Sequence, residues 1–578
     1  MYARTARLVA ASRRQLPSLP RLGTAAALLL AAGCGEAPRT GTYDVIIRGG
    51  TVYDGSGDSP VIADVAISGD RIAGVGDYSA AEGLHEVDAT GMAVAPGFIN
   101  MLSWATESLI TDPRSLSDIK QGVTLEVFGE GTSMGPISEN TLAAIAERGG
   151  EPPAWTTLGG YLEHLEETGV TPNVASYIGA TTVRVNHIGY EDRAPTRAEL
   201  AQMQEEVREA MREGAMGVGS SLIYAPAFYA ETDELIALVA AAAEFGGGYI
   251  SHMRSEGNQL LEAVDELLEI ARATGAPAEI YHLKAAGSDN WGKLDDVIAR
   301  VEAARDEGLH ITADMYTYTA GSTGLDASMP PWVHEGGHRA MVERLGDPEI
   351  RLRVAEEITT VSDEWENLLL AAGDPSRALL VGFRQDSLKY LTGMTLAEVA
   401  EMRGTAVPET VMDLVMDDDS RVGTVYFMMS EDNVRRQIAL PWLSFGSDAG
   451  SMAPEDPFTR SMTHPRAYGN FARLLGRYVR DEGVIPLEEA VRKLTSLPAA
   501  NLRIRERGML AEGYYADLSV FDPAAVQDHA TFQEPHQLST GFLHVWVNGE
   551  QVLENGEHTG NFPGRVVRGP GWTGWNSP

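Results

Sequence analysis

The 578-residue sequence predicts an α/β fold, a (β/α)8 barrel joined to a composite β-sandwich from both termini, with an inserted subdomain before barrel strand eight. Three observations predict it. Eight short apolar segments recur through the middle of the chain with helical stretches between most of them, the repeat of a parallel barrel. The two ends instead alternate apolar and polar residues around Asp-Gly, Gly-Asp and Asn-Gly pairs, the pattern of hairpins. The last strand-to-strand interval is far longer than one helix requires.

The elements follow in chain order. Residues 1–33 carry five arginines (Arg4, Arg7, Arg13, Arg14, Arg21) and no acid, and an apolar run from Ala25 to Ala32 ends at Gly33-Cys34. A basic stretch, a short apolar stretch and a small-residue boundary read as an export signal, too short for a comfortable membrane span. Leu30–Cys34 resembles a bacterial lipobox, and Ser12-Arg13-Arg14 resembles part of a twin-arginine signal. Cys34 is therefore expected to be the lipidated first residue of an exported, periplasmic or cell-envelope protein. The alternative is a plain cleaved signal with an incidental cysteine.

Residues 43–94 (DVIIRGG, TVYDGSGDSP, VIADVAISGDRIAGVG) and 505–570 (ADLSVFDP, HVWVNGEQVLENGE) are strand and turn. Neither end has enough strands to bury a face alone, so the two are expected to form one sandwich. Residues 95–500 hold the barrel, with candidate strands Val94–Met101, Val123–Phe128, Val174–Gly179, Met216–Gly219, Gly248–His252, Glu279–His282, His310–Met315 and Leu443–Ser447. Helical periodicity fills Glu199–Glu213, Gln259–Thr274 and Lys293–Asp306. An insertion of about 325–433 has helical periodicity of its own over Pro348–Ile358, Thr395–Arg403 and Pro408–Asp417.

Composition removes several function classes. With 45 Lys+Arg against 82 Asp+Glu and a net charge of −37, the chain is no partner for nucleic acid or anionic lipid. Membrane contact is expected only through the lipid anchor. At 44% hydrophobic and 22% charged the chain is globular rather than disordered. One cysteine, Cys34, excludes an intrachain disulfide framework and a Cys-rich zinc knuckle.

In a barrel of this kind reactive residues sit at the C-terminal strand ends. Those ends supply Glu130 after strand two, His252 at strand five, His282 at strand six and Asp448 at strand eight. Alone, each reads as a hydrogen-bonded structural residue. Together, two imidazoles and a carboxylate suit Zn²⁺ and leave a coordination position open for water, while the fourth residue remains as a proton shuttle.

Motifs along the mature chain carry a resemblance: DVIIRGGTVYDGSG (44–57), VAPGFIN (94–100), QGVT (121–124), SHMRSEG (251–257), YHLKAAGSDNWGK (281–293), ADMYTYTAGSTGL (313–325), GSD (446–448), THPRAYGNF (463–471) and GMLAEGYYADLSVFDP (508–523). In these the chain resembles the amidohydrolases, and among them the N-acyl-D-amino-acid deacylases (D-aminoacylases). The resemblance implies a TIM-like metal-dependent hydrolase barrel with a composite β-sandwich, acting on a small-molecule amide.

Departures from the family pattern matter as much. The family's His-X-His pair after strand one is Leu102-Ser103-Trp104 here, and neither Leu nor Trp ligates zinc, so one ion per chain is expected. A family cysteine ligand after strand two aligns with Glu130, and a family histidine after strand three is Ala180. The resemblance thus implies Glu130, His252 and His282 as metal ligands, with Glu126 as the rival carboxylate, and Asp448 as the catalytic shuttle. Lys284, Tyr316 and Ser322 match substrate-contacting positions. Arg254 and Arg466 have the fork that binds a carboxylate bidentately, with a structural ion pair as the alternative for each. Tyr224 reads first as core packing and second as pocket wall. The implied activity is zinc-dependent hydrolysis of an amide, foremost deacylation of N-acyl-D-amino acids. The alternatives are a dipeptide or cyclic-amide hydrolase, or an inactive binding protein on the same fold.

Overall fold

The computed structural model describes residues 38–147 and 151–576. The export signal and Cys34 lie outside the described residues.

Eight parallel strands form the barrel: β1 (Phe98–Asn100), β2 (Val123–Phe128), β3 (Asn173–Ser176, continued by Ile178–Gly179), β4 (Gly217–Ser221), β5 (Gly248–His252), β6 (Ala278–Ile280), β7 (Ile311–Met315) and β8 (Leu443–Phe445). Each pairs in parallel with the next from β1 to β8. The ring closes where Met101 N–H donates to Phe445 O at 3.2 Å and Ser103 bridges Ala449. Leu125, Val127, Ala175, Tyr177, Ile250 and Tyr281 share one buried cluster inside the ring. Phe128, Ile280, Ala313 and Phe445 belong to the cluster formed with the surrounding helices. That is the period-two alternation of a strand buried on both faces.

The helices are set by local chemistry. Arg197–Glu213 begins with a capping box in which the Thr196 hydroxyl accepts from Glu199 N–H and the Glu199 carboxylate accepts from Thr196 N–H. Leu260–Thr274 stops at Gly275, whose φ of 69° only glycine adopts freely.

The first barrel strand is shorter than the sequence predicts. Ala93–Pro96 pairs with Leu518–Phe521 in the terminal sheet, and only Phe98–Asn100 enters the barrel. The break falls at Pro96-Gly97. A Cβ on Gly97 would lie 2.0 Å from Thr124 Oγ1, so strand two can approach only a glycine.

Both termini share a nine-stranded sheet. Its order is Glu557–His558, Glu550–Glu554, Phe542–Val547, Leu518–Phe521, Ala93–Pro96, Thr40–Val52, Val61–Ser68 and Arg71–Gly76, with Ala80–Asp88 also on Thr40–Val52. Val45, Ile47, Val65, Leu518, Val520 and Trp546 from both ends pack one core there. Between β7 and β8 the insertion has a separate core that includes Leu345, Val354, Leu380, Leu396, Val411 and Tyr426. It contains the three expected helices, as Pro348–Thr359, Leu396–Arg403 and Val407–Asp418. It also contains an antiparallel sheet, Gly321–Gly324, Gly423–Tyr426 and Ala378–Gly382, that the helical periodicity did not predict.

Candidate metal centre and active site

Three side chains from three strand ends converge at the barrel mouth. Glu130 Oε1 lies 2.9 Å from His252 Nδ1 and 2.9 Å from His282 Nε2. All three residues are buried, and their ligand atoms lie within 4.8 Å of one another. The chain turns Glu130 inward at Gly129, whose φ is 111°; a Cβ there would meet Tyr177 O at 2.5 Å. His282 sits just past the end of β6 with φ 33°, its N–H donating to Asp314 Oδ1 at 3.0 Å.

Glu256, which the sequence reading left unassigned, stands behind both imidazoles. Its Oε1 is 2.9 Å from His282 Nδ1 and 2.5 Å from Lys284 Nζ, and its Oε2 is 3.7 Å from His252 Nε2. Lys284 Nζ lies 2.8 Å from the same Nδ1, so Nδ1 faces this ammonium–carboxylate pair while Nε2 faces Glu130. The available signal was position, four residues past His252 in SHMRSEG.

The charges here fit a cation. Burial pushes the Glu130 carboxyl up, but the charges of His282 and His252 outweigh it and hold Glu130 well below the usual carboxylate range. Burial and Lys284 pull the His282 imidazole down, while Glu256 and Glu130 carry it up to about 10. Among the described residues Glu130 pairs with no lysine or arginine, and the buried His252 Nε2 has no hydrogen-bond partner. Two imidazoles and an ionised carboxylate that no lysine or arginine occupies form a donor set that fits Zn²⁺.

Glu126, the rival ligand, points the other way. Its oxygens accept from Ser103 Oγ and Ser115 Oγ, each at 2.6 Å, on the outer side of β2. Burial and the neighbouring Asp118 push its carboxyl up to about 8. Asp118, held by Asn100 Nδ2 at 3.1 Å, is pushed up to about 6 by burial.

Where the resemblance implies histidines, Leu102 is fully buried in the barrel interior. Trp104 is 40% exposed, and its indole N–H donates to Glu130 Oε2 at 2.8 Å. Ala180 is buried at the start of the helix that follows β3.

Asp448 follows β8 with φ 49°, its N–H bonded to Leu102 O at 2.9 Å. Burial raises its carboxyl, and Arg466 draws it back only in part. Arg466 Nη1 lies 2.7 Å from Asp448 Oδ2 outside hydrogen-bond alignment, and its Nε is buried without a partner. The guanidinium rests 4.4 Å over the Tyr316 ring, and Lys284 Nζ is 5.6 Å from that ring. His464 accepts from Arg466 N–H at 3.0 Å and so sets the start of its helix. Arg466, Tyr316, Lys284 and Asp448 therefore share one side of the mouth.

The remaining residues sit further out. Ser322 Oγ donates to Thr424 O at 3.1 Å inside the insertion's sheet, and its carbonyl faces Arg466 Nη2 at 3.4 Å. Tyr224 packs edge-on to His252 at 5.3 Å. Arg254 is committed elsewhere. Its guanidinium makes two 2.9 Å bonds to Glu266 and donates to Phe228 O and Ala230 O, so no fork remains for a substrate.

Comparison with known proteins places this geometry. A model described as the amidohydrolase family matches residues 85–553. The D-aminoacylase of Alcaligenes xylosoxydans xylosoxydans is 34% identical over 91% of this chain and 97% of its own. The crystal structure of an N-acyl-D-glutamate deacylase from Bordetella bronchiseptica, complexed with zinc and a phosphonate mimic of the tetrahedral intermediate, is 31% identical. It covers 91% of this chain and 100% of that one, with a TM-score of 0.76. A D-aminoacylase structure reported for its binuclear centre, with one-metal activation and second-metal attenuation, is 33% identical. Its coverage is again 91% and 100%, with a TM-score of 0.74.

Proposed function

This chain belongs to the D-aminoacylase family of amidohydrolases, and from that premise we propose that it deacylates N-acyl-D-amino acids with one Zn²⁺ held by Glu130, His252 and His282. The observation that carries the reading is the convergence of two imidazole nitrogens on a single oxygen of Glu130, with Glu256 behind the His282 ring.

When bound, the ion supplies Lewis acidity toward the amide carbonyl and lowers the pKa of a water. The protein's own groups do the rest. Arg466, whose buried Nε has no partner among the described residues, brings a cation to the side of the mouth where an amino-acid carboxylate would dock, and Lys284, already paired with Glu256, adds its field there. Tyr316, buried between Arg466 and His282, fixes the height of that carboxylate above the ring. Asp448 takes a proton from the attacking water and returns it to the departing amine. Its burial supports that role, because a carboxyl raised above its usual range holds a proton more readily. Leu102 and Trp104, which offer no ligand atom, support a count of one ion.

The test is a panel of N-acyl-D-amino acids, their L-enantiomers, dipeptides and cyclic amides, each with and without chelator. Chelator-sensitive turnover confined to the D-series is expected. Turnover only of dipeptides or cyclic amides would replace the substrate, and no turnover of any amide would leave a binding protein.

The same proposal extends to location. The basic, apolar and Cys34 pattern supports export and lipid attachment. Cys34→Ser should abolish lipid labelling and release the protein into the soluble fraction; a wild type that keeps an intact N-terminus in the cytoplasm contradicts this.

A further inference from the structure

The geometry points to Trp104 as a positioning residue that locks Glu130 in one-oxygen presentation and takes the place of a second cation. The inference rests on the reading that Glu130, His252 and His282 hold one ion, and it explains how the chain limits the site to one. A carboxylate has two oxygens, each able to accept more than one contact. At Glu130 they are divided. Oε1 faces both imidazoles at 2.9 Å, and Oε2 accepts the indole N–H of Trp104 at 2.8 Å. A second ion bridging this carboxylate would have to displace that donor. It would also need ligands from Leu102, which is fully buried hydrocarbon packed beneath the mouth.

The backbone that carries the indole is anchored. The backbone N–H of Trp104 donates to Ala449 O at 3.0 Å, and Asp448 N–H donates to Leu102 O at 2.9 Å, so the 102–104 segment is stitched to the loop after β8. Between them Ser103 points outward and bonds Glu126 at 2.6 Å. Three consecutive residues thus fill the mouth, anchor the outer cluster and hold the metal carboxylate. An indole N–H has no alternative role as acceptor or ligand, so the contact to Oε2 has one polarity whether or not the ion is bound.

The experiment uses the full-length protein, stripped of metal and titrated with Co²⁺, reading ions per chain, affinity and the visible absorption spectrum. Wild type should bind one ion. Trp104→Phe keeps the ring and loses the donor. It should weaken binding by about 10- to 100-fold, the usual effect of losing a hydrogen bond to a metal ligand, and should alter the Co²⁺ spectrum. A second variant, Leu102→His/Trp104→His, should bind two ions. Wild type that binds no Co²⁺ overturns the one-ion reading and this inference with it. Wild type that binds one ion, with Trp104→Phe matching it in affinity and spectrum, overturns the inference alone. So does a double variant that folds and still binds one.

Discussion

Two buried carboxylates four residues apart, at the end of one strand, meet opposite fates. Glu126 faces outward into Ser103 and Ser115, with Asp118 close by and, among the described residues, no cation paired with it, and holds its proton. Glu130 faces inward to two imidazoles and stays ionised. Both are buried, so burial does not mark the site. The partners do: hydroxyls can satisfy a protonated carboxyl, whereas two imidazoles on one oxygen leave an anion that a metal completes. The proposed function uses the second arrangement, and the first ties strand two to its neighbours.

The comparison can be broken first at the proton shuttle, which works beside the inner cluster. Asp448→Asn preserves shape but cannot accept a proton. It should keep bound zinc while kcat falls by roughly 10²- to 10⁴-fold. Because the base acts when deprotonated and burial raises its pKa, wild-type activity should climb with pH through a limb above the ordinary aspartate range, and that limb should vanish in the variant. Loss of zinc in Asp448→Asn would reassign the residue as a ligand.

A smaller effect sharpens the role of Glu256. If Glu256, together with Lys284, orients the His282 ring, Glu256→Gln should weaken zinc binding by about 10- to 100-fold, measured by competition with a chromophoric chelator. Unchanged affinity would make Glu256 only a partner for Lys284.

The smallest effect belongs to the outer cluster and is one of stability. Glu126 has a folded pKa of about 8 against an unfolded value near 4.5, so between those values the folded state holds a proton that the unfolded state releases. Stability should therefore fall as pH rises through this window. Glu126→Gln, neutral throughout, should lose that fall, and its stability relative to wild type should improve by on the order of 1–3 kcal/mol from pH 5 to pH 8 in denaturant melts. A constant difference across that range would mean that Glu126 is ionised in the fold.

Much of this was legible in the sequence, and the rest was hidden for physical reasons. Val123–Phe128 and Gly248–His252 matched to the residue because apolar runs bounded by turns have no rival reading. The insertion's sheet was hidden because Gly321–Gly324 has no apolar alternation. Val94–Met101 reads as one strand, yet a glycine forced by contact with Thr124 divides it between two sheets. At the site, His252, His282 and Asp448 follow from strand-end position alone. The same position favours Glu130 over Glu126, and the left-handed turn at Gly129, a backbone fact that periodicity does not carry, is what turns it inward. The commitment of Arg254 to Glu266 was equally hidden, since its partner lies twelve residues on, in the following helix.

The claim that partners rather than burial define the site is tested most directly by zinc content in three proteins purified alike: wild type, Glu126→Gln and Glu130→Ala. The account predicts one zinc per chain in the first two and none in the third. Two zinc ions in wild type, or zinc lost from Glu126→Gln and kept in Glu130→Ala, would contradict it.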